Sequence, residues 1–326
     1  MRSLLRSLVV VSTVIIFIGD FFLVQSFVAV HHTSKISQHA VSSGIMQLKM
    51  SEVASPAPVA VDKEALKRQI LQLGAALDRG QAHNPTSGEY YGDKLRFAKA
   101  KVAALAEQAP PAPTSLAEIG GEWELVLATV PHGIFRSSPF FLAIQEAYAA
   151  GGQPEKAELF FKLHELQTCS WGASKIGRVA QVIDAENQTF ISEFDTSIFS
   201  LTVIPVLGWF KLLPTFGGRV TTVSKVLRLR EGGWLDLEVD YTTGAEVPGL
   251  NGLADWIWGL KVPVGAVWKL LPWNQGRAAT ATLRVAYSDG DFRIMEDSDG
   301  EFFVYTRPVY IEPPSTDNKL AAAAEE

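Results

Sequence analysis

Two long apolar segments carry the side chains best suited to contact lipid. Residues 248–273 hold four of the chain's eight tryptophans together with Lys261 and Lys269. Residues 201–216 likewise combine aromatic residues, including Trp209, with a lysine. Tryptophan and lysine suit a boundary between lipid and water, because each has an apolar body and a polar end. Both segments contain Pro and Gly and lack strand alternation, so ordinary aromatic core remains the alternative to a lipid-facing rim. The candidate lipid-binding residues in them are Trp209, Phe210, Trp256, Trp258 and Trp268.

Patterns for catalysis or metal binding are weak in this sequence. Ser137 and Ser138 have no base nearby in sequence, and Pro139 after them is typical of a helix start. Cys169 is the only cysteine, so no intrachain disulfide is possible, and we interpret it as a small structural residue. Three histidines of the main domain lack ligand spacing: His83, His132 and His164. We therefore expect no catalytic residues, no cofactor and no metal.

Three charged residues are placed on strand-like segments where they could serve a ligand. Arg178, Glu193 and Asp195 would contact a polar head group if they pointed into a barrel. They would equally suit the solvated outer face, since alternation does not say which face is which. Arg178 is retained as a candidate lipid-binding residue.

Composition and charge narrow the class of protein. Hydrophobic residues make up 47% of the 326 residues and charged residues 20%, which is typical of a globular protein with a sizeable core. The net charge is −6, so nucleic acid is not an expected partner. Residues 1–61 depart from this negative balance, because they contain four basic and two acidic residues.

The first 61 residues have the composition of a targeting leader. Arg2 and Arg6 precede an apolar run, and Ser26 is a suitable small residue for cleavage, so residues 1–26 are predicted to be a signal peptide. A membrane anchor over residues 8–28 is the alternative. Residues 27–61 are rich in Ser, Thr, Ala and His, which is typical of a transit peptide or disordered linker. A secreted protein with a disordered tail remains possible on these residues.

The remaining chain predicts a helical pair followed by many short strands. Apolar residues at helical spacing, with Asp62 as N-cap, predict a helical hairpin over residues 62–108. Residues 151–168 are poorly patterned, with a possible helix in the middle. Beginning with the strand at Trp123, about eight segments show alternating apolar and polar residues and are separated at hairpin spacing. They predict a mainly β fold. The expected architecture is a lipocalin-like up-and-down antiparallel β-barrel over residues 119–307, with room for one small ligand.

Two motifs carry a resemblance to a known family. Gly-Glu-Trp-Glu-Leu at 121–125, followed by Arg-Ser-Ser-Pro-Phe-Phe at 136–141, resembles the plastid lipid-associated proteins, also called fibrillins or plastoglobulins. The terminal hairpin, with Phe-Arg-Ile at 292–294 and an acidic Gly turn, is similar to that family as well. The leader resembles the bipartite plastid leader of algae with secondary plastids. The resemblance implies a plastid lipid-associated domain over 62–313. Residues 314–326 are predicted to be a disordered tail, and the further candidate lipid-binding residues are Trp123, Phe135, Phe140 and Phe141.

The resemblance implies a non-catalytic protein of the plastid. It would bind or coat prenylquinones, carotenoids or acyl lipids at plastoglobules or thylakoids, with a stromal location also open. Its partners would be a hydrophobic lipid or pigment and a peripheral membrane or lipid-droplet surface. The alternatives are a lipocalin-like enzyme acting on a barrel-bound lipid or pigment, and a secreted carrier. A buried acid–base pair with shifted protonation would favour the enzyme. The oligomeric state stays open.

Overall fold

The protein is built around a closed antiparallel β-barrel. The computed structural model describes residues 62–84, 87–168, 174–198, 203–204, 210–211, 216–247, 260–270 and 276–310. The strands are β1 Gly121–Ala128, β2 Ser174–Asp184, β3 Thr189–Ile198, β4 Val203–Ile204, β5 Phe210–Lys211, β6 Phe216–Arg230, β7 Trp234–Ala245, β8 Thr280–Ser288, β9 Phe292–Glu296 and β10 Phe302–Thr306. The helices are α1 Lys63–Ala76, α2 Glu89–Ala106, α3 Gly133–Arg136, α4 Pro139–Ala150, α5 Pro154–Thr168 and α6 Val264–Leu270.

The barrel is an up-and-down meander. Eight strands pair with their neighbours in the order β1-β2-β3-β6-β7-β8-β9-β10, and β10 closes the ring by pairing with β1. Every one of these pairings is antiparallel. The short strands β4 and β5 pair only with each other. The prediction of an eight-stranded lipocalin-like barrel is therefore confirmed.

Trp123 fills one end of the barrel, which we call the floor. The start of β1 and the β2–β3, β6–β7 and β8–β9 turns lie at this end. Trp123 is fully buried, and its indole nitrogen donates to the carbonyl oxygen of Ile119 at 3.0 Å. Arg307 lies over the indole ring and donates to the carbonyl oxygens of Gly120 and Glu122. These contacts fasten the first and last strands together beneath the core.

The predicted helical pair packs outside the barrel. The Asp62 carboxylate accepts hydrogen bonds from the amides of Glu64 and Ala65, which makes it the N-cap of α1. The inward faces of α1 and α2 form an apolar cluster with the outer faces of β1, β8, β9 and β10. The approach is close at Gly74, where an added Cβ would lie 2.4 Å from the Val126 carbonyl oxygen. The helical pair therefore covers one side of the barrel.

The helices after β1 cover the opposite end, which we call the mouth. Pro139 occupies the first turn of α4, as the Ser-Ser-Pro sequence predicted. Helix α4 packs against β6, β7 and β8, and Glu146 on it accepts a hydrogen bond from the Thr282 amide of β8. The poorly patterned segment 151–168 forms the regular helix α5, which packs on α4. Only one face of α5 is buried, with Ala157, Phe160, Phe161, His164 and Glu165 at helical spacing. Its apolar periodicity is weak because this buried face includes His164 and Glu165 while Leu159 lies on the exposed face.

Candidate functional site

A layer of aromatic rings closes the mouth of the barrel. Phe135 of α3 contacts Phe141 of α4 at a ring-centre distance of 5.6 Å and Phe194 of β3 at 5.2 Å. Phe140 meets Phe141 at 5.4 Å and the indole of Trp268, on α6, at 6.3 Å. Such edge-on and tilted pairs stabilise an apolar layer beyond the area they bury. The aromatic residues of α3, α4 and α6 thus form one continuous cap above the barrel interior.

A buried arginine ties this cap to the rest of the molecule. Arg136 is 2% exposed, stacks on the Phe161 ring and donates to Glu158 at 3.1 Å and to Gln145 at 2.9 Å. The Gln145 amide in turn donates to Asp297, in the β9–β10 turn, at 3.3 Å. A buried guanidinium has to be paired to avoid a large desolvation cost. The Arg-Ser-Ser-Pro-Phe-Phe motif therefore supplies both the cap's rings and its polar anchor.

Two histidines far apart in sequence form a hydrogen-bonded pair beside the cap. His132 Nε2 lies 2.6 Å from His164 Nδ1, and the two side chains are 2% and 8% exposed. Burial lowers the pKa of His164 to about 4. Burial, with His164 and the Arg136 charge, holds the pKa of His132 well below its usual range. Both rings are therefore neutral at pH 7, so one donates the shared proton and the other accepts it.

The backbone around His132 is strained, and one of its ring nitrogens is unsatisfied. His132 has φ 60° and ψ 18°, a left-handed conformation that is uncommon for a residue other than glycine. Its Nδ1 is buried without a hydrogen-bond partner. Its ring stacks on Phe135 at 4.6 Å, which leaves the ring little freedom to turn. Strain and unpaired buried atoms concentrate at functional sites, although they also occur elsewhere.

A pocket of about 350 Å³ opens next to this histidine pair. Glu165, on α5, is 4% exposed, and burial raises its pKa to about 7 although it accepts a hydrogen bond from the His132 amide. The pocket is lined by His83, Asn84, Pro131, His132, Glu158, Leu159, Phe161, Lys162 and Glu165. A carboxyl group with a pKa near 7 exchanges protons readily at physiological pH. The arrangement therefore has the chemical capacity for proton transfer.

The structure brings some of the sequence-predicted site residues together and separates others. Phe135, Phe140, Phe141 and Trp268 meet in the cap, where Phe140 is partly exposed and the other three are buried. Trp123 lies at the floor, at the far end of the barrel from them. Phe210 lies in β5, whereas Trp209, Trp256 and Trp258, like Cys169, lie outside the described residues.

Arg178 occupies the outer face of the barrel. It forms ion pairs with Glu122, with Glu124 at 2.6 Å and with Glu193 at 3.3 Å. Trp123 points inward, so its neighbours Glu122 and Glu124 point outward, and Arg178 lies with them. The structure thus shows which face of these strands points outward, a point that the sequence did not decide. The sheet itself separates Arg178 from the barrel interior. Asp195 is likewise paired, with Arg219 at 2.8 Å.

The histidine pair and Glu165 were missed by reasoning from sequence. His132 and His164 are 32 residues apart, on a loop and on a helix, and no local spacing connects them. A weak signal was present in the adjacent His-Glu at 164–165, which places two titratable groups within one turn of an apolar helix. Only the packing of α5 against the β1–α3 loop brings them beside His132.

The described residues contain no group of three or more His, Cys, Asp or Glu side chains that could hold a metal ion. Within the same part of the chain, none of the helices combines the length and the apolar character needed to cross a membrane. The proposed leader, including residues 8–28, lies outside it. No protein-family model, curated protein or solved structure matches this chain.

Proposed function

We propose that the protein binds hydrophobic lipids of the plastid, such as prenylquinones, carotenoids or acyl lipids, without catalysing a reaction on them. The leader and the motifs at 121–125 and 136–141 support a plastid address, at plastoglobules, thylakoids or in the stroma. The observation that carries the proposal is the aromatic cap, in which Phe135, Phe140, Phe141 and Trp268 cover the mouth of an apolar barrel. Apolar surface attracts lipid by about 25 cal/mol for each Å² removed from water.

The surroundings of the cap support contact with a lipid surface. Helix α6 buries Trp268 and leaves Leu270 81% exposed at its end, next to Lys269. Both apolar segments, 201–216 and 248–273, leave and rejoin the barrel through strand ends at the mouth, since Ile198, Phe216, Ala245 and Thr280 all lie there. A lipid surface facing the mouth would therefore meet the strand ends from which these segments continue, together with Lys269 and Leu270 of α6.

The test is native mass spectrometry with lipid extraction on protein purified from its native cells. A co-purifying quinone, carotenoid or acyl lipid at near one per chain is expected for a carrier. Flotation of the protein with lipid droplets, without a bound lipid, would instead identify a surface coat. A chain that carries no lipid and does not float would overturn the proposal.

Tryptophan variants separate lipid contact from packing. Replacing Trp256 and Trp258 with Ser is expected to reduce flotation and to leave the melting temperature unchanged. Trp234→Ser is the matched control, because Trp234 lies at the floor, under the guanidinium groups of Arg230 and Arg284. This control should float as the parent protein does. Unfolding of the Trp256/Trp258 variant would assign those residues to the core.

A second candidate function is proton transfer on a bound lipid or pigment. The observation that favours it is the hydrogen-bonded pair of His132 and His164 next to Glu165, a carboxyl group with a raised pKa. An isomerisation needs no cofactor, since the proton taken from one carbon by a base is returned to another. Incubation with candidate lipids in D₂O would test it. If the protein is such an enzyme, it is expected to incorporate deuterium into the lipid, and the His164→Gln variant should not. No deuterium incorporation by the parent protein would exclude this activity on those lipids.

A further inference from the structure

Polar side chains form a band inside the otherwise apolar barrel. Arg293 of β9 is paired in register with Tyr305 of β10, and Gln181 of β2 with Ser192 of β3, which faces Thr222 of β6. All five are 3% exposed or less. They lie on the inward faces of their strands, because Tyr305 and Gln181 are the register partners of the inward-facing Leu125 and Trp123.

Arg293 is the charged member of this band, and it has no carboxylate partner. Its Nη2 donates to the Gln181 amide oxygen at 2.6 Å, whereas its Nε and Nη1 are buried without a hydrogen-bond partner. Across the described chain no ion pair involves it, and the neighbouring cation Arg307 further disfavours its charged form. Burial lowers its pKa to about 9, so it still carries a positive charge at neutral pH.

Aromatic stacking offsets only part of this unpaired charge. The guanidinium carbon lies 4.7 Å from the centre of the Trp123 ring and 4.8 Å from that of Tyr305. Stacking stabilises a cation but leaves its in-plane N–H groups without acceptors. The Tyr305 hydroxyl is fully buried beside Ser137 and Gln181 and adds a further polar group to the band. The band therefore presents several donors and one positive charge, and it is short of an acceptor carrying negative charge.

A carboxylate is the group that complements these donors. Its two oxygens match the fork of N–H groups on a guanidinium, and charge-assisted hydrogen bonds of this kind are among the strongest in proteins. One arginine balances one negative charge, which favours a carboxylate over a doubly charged phosphate. Towards the mouth, the next inward residues on β9 and β10 are Met295 and Phe303, both fully buried and apolar. An apolar tail attached to the carboxylate would lie against them on its way to the cap, and because both are fully buried they would have to move apart to admit it.

We propose that Arg293 and Tyr305 bind the carboxylate of a long-chain fatty acid whose tail extends towards the mouth of the barrel. This inference rests on the proposed lipid-binding function and narrows its ligand class from any hydrophobic lipid to one with a free acid head. The same chemistry would accept a small free carboxylate, and the experiment distinguishes the two sources.

The experiment compares three probes on the full-chain protein by isothermal titration calorimetry: oleate, methyl oleate and acetate. The ester has the same tail as oleate and lacks the charge. Oleate is expected to bind at least about tenfold more tightly than methyl oleate, since it alone supplies a charge-assisted hydrogen-bond acceptor. Acetate at millimolar concentration is expected not to weaken oleate binding. In Arg293→Met, the affinity for oleate should fall to that for the ester, which should itself be unchanged.

Arg284→Met is the matched control, because Arg284 lies on the outside of β8 over the Trp234 ring. It should keep the preference for oleate. Equal binding of oleate and methyl oleate to the parent protein would overturn the inference and leave the lipid-binding function standing. Binding of neither would count against both. Acetate that competes with oleate at equal affinity would replace the fatty acid with a small anion. The comparison of oleate with methyl oleate uses the parent protein. The inference can therefore be tested even if the Arg293→Met variant misfolds.

Discussion

Replacing Glu165 with Gln is expected to make the protein more sensitive to acid. The pKa of buried His164 is about 4, below its unfolded value of 6.5, so between these pH values only the unfolded chain binds that proton. The folded state therefore loses stability as the pH falls. Glu165 acts oppositely: its folded pKa is about 7 against 4.5, so the folded state binds the extra proton and gains stability as the pH falls.

The two effects are of similar size and nearly cancel in the parent protein. The pKa shift of His164, like that of Glu165, corresponds to roughly 3 kcal/mol over its full window. Burial lowers the pKa of His132 as well, so this group adds to the protons that the chain takes up when it unfolds in acid. Without Glu165 the chain should take up about one more proton when it unfolds between pH 4.5 and about 7, so the loss of stability should be steeper by about 1.4 kcal/mol for each pH unit of acidification.

Urea unfolding followed by tryptophan fluorescence at several pH values measures these slopes. Glu155→Gln, an exposed carboxylate in the first turn of α5, is the matched control and should retain the parent slope. His164→Gln should flatten the slope, because it removes one of the two histidine protons. Other titrating groups contribute equally to each protein and drop out of the comparison. A Glu165→Gln slope no steeper than the parent's would refute the assignment of a raised pKa to this buried carboxyl group.

Two further changes test the packing of the barrel. Trp123→Ala is expected to cost about 3–5 kcal/mol of unfolding free energy, because the indole fills the floor completely, and a loss below about 1 kcal/mol in urea titration would contradict that role. Gly74→Ala is expected to cost about 1–3 kcal/mol, since the new methyl group would meet the backbone oxygen of Val126. Its control, Gly290→Ala, has open space at the same atom and should change the melting temperature little; equal melting temperatures for the two would argue against the close helix–barrel contact.

The barrel could be predicted from sequence because its signals are local. Alternation of apolar residues marks each strand, and turn residues such as Gly300, with φ 75°, mark where the chain reverses. Short connections make neighbouring strands in sequence neighbours in space, so a meander follows once the strands are known. The N-cap at Asp62 and the helix start at Pro139 could be predicted for the same reason, since both depend on a few adjacent residues.

The direction of each strand's faces and the partners of its polar residues were decided by tertiary structure. The sequence did not decide whether Arg178 faces the interior or the surface. In the closed barrel it lies on the outer face, paired with Glu122 and Glu124. Alternation specifies that residues share a face, but only the packing of a strand specifies which face is inward.

The histidine pair and the buried arginine depend on contacts across long stretches of chain. His132 meets His164 through the packing of α5, and Arg293 reaches Gln181 across 112 residues. Their pKa values are set by burial, which no local pattern reports. The sequence by itself thus determined the eight strands of the barrel and their order. Tertiary structure alone decided which titratable groups lost contact with water, because burial is a property of the packed molecule.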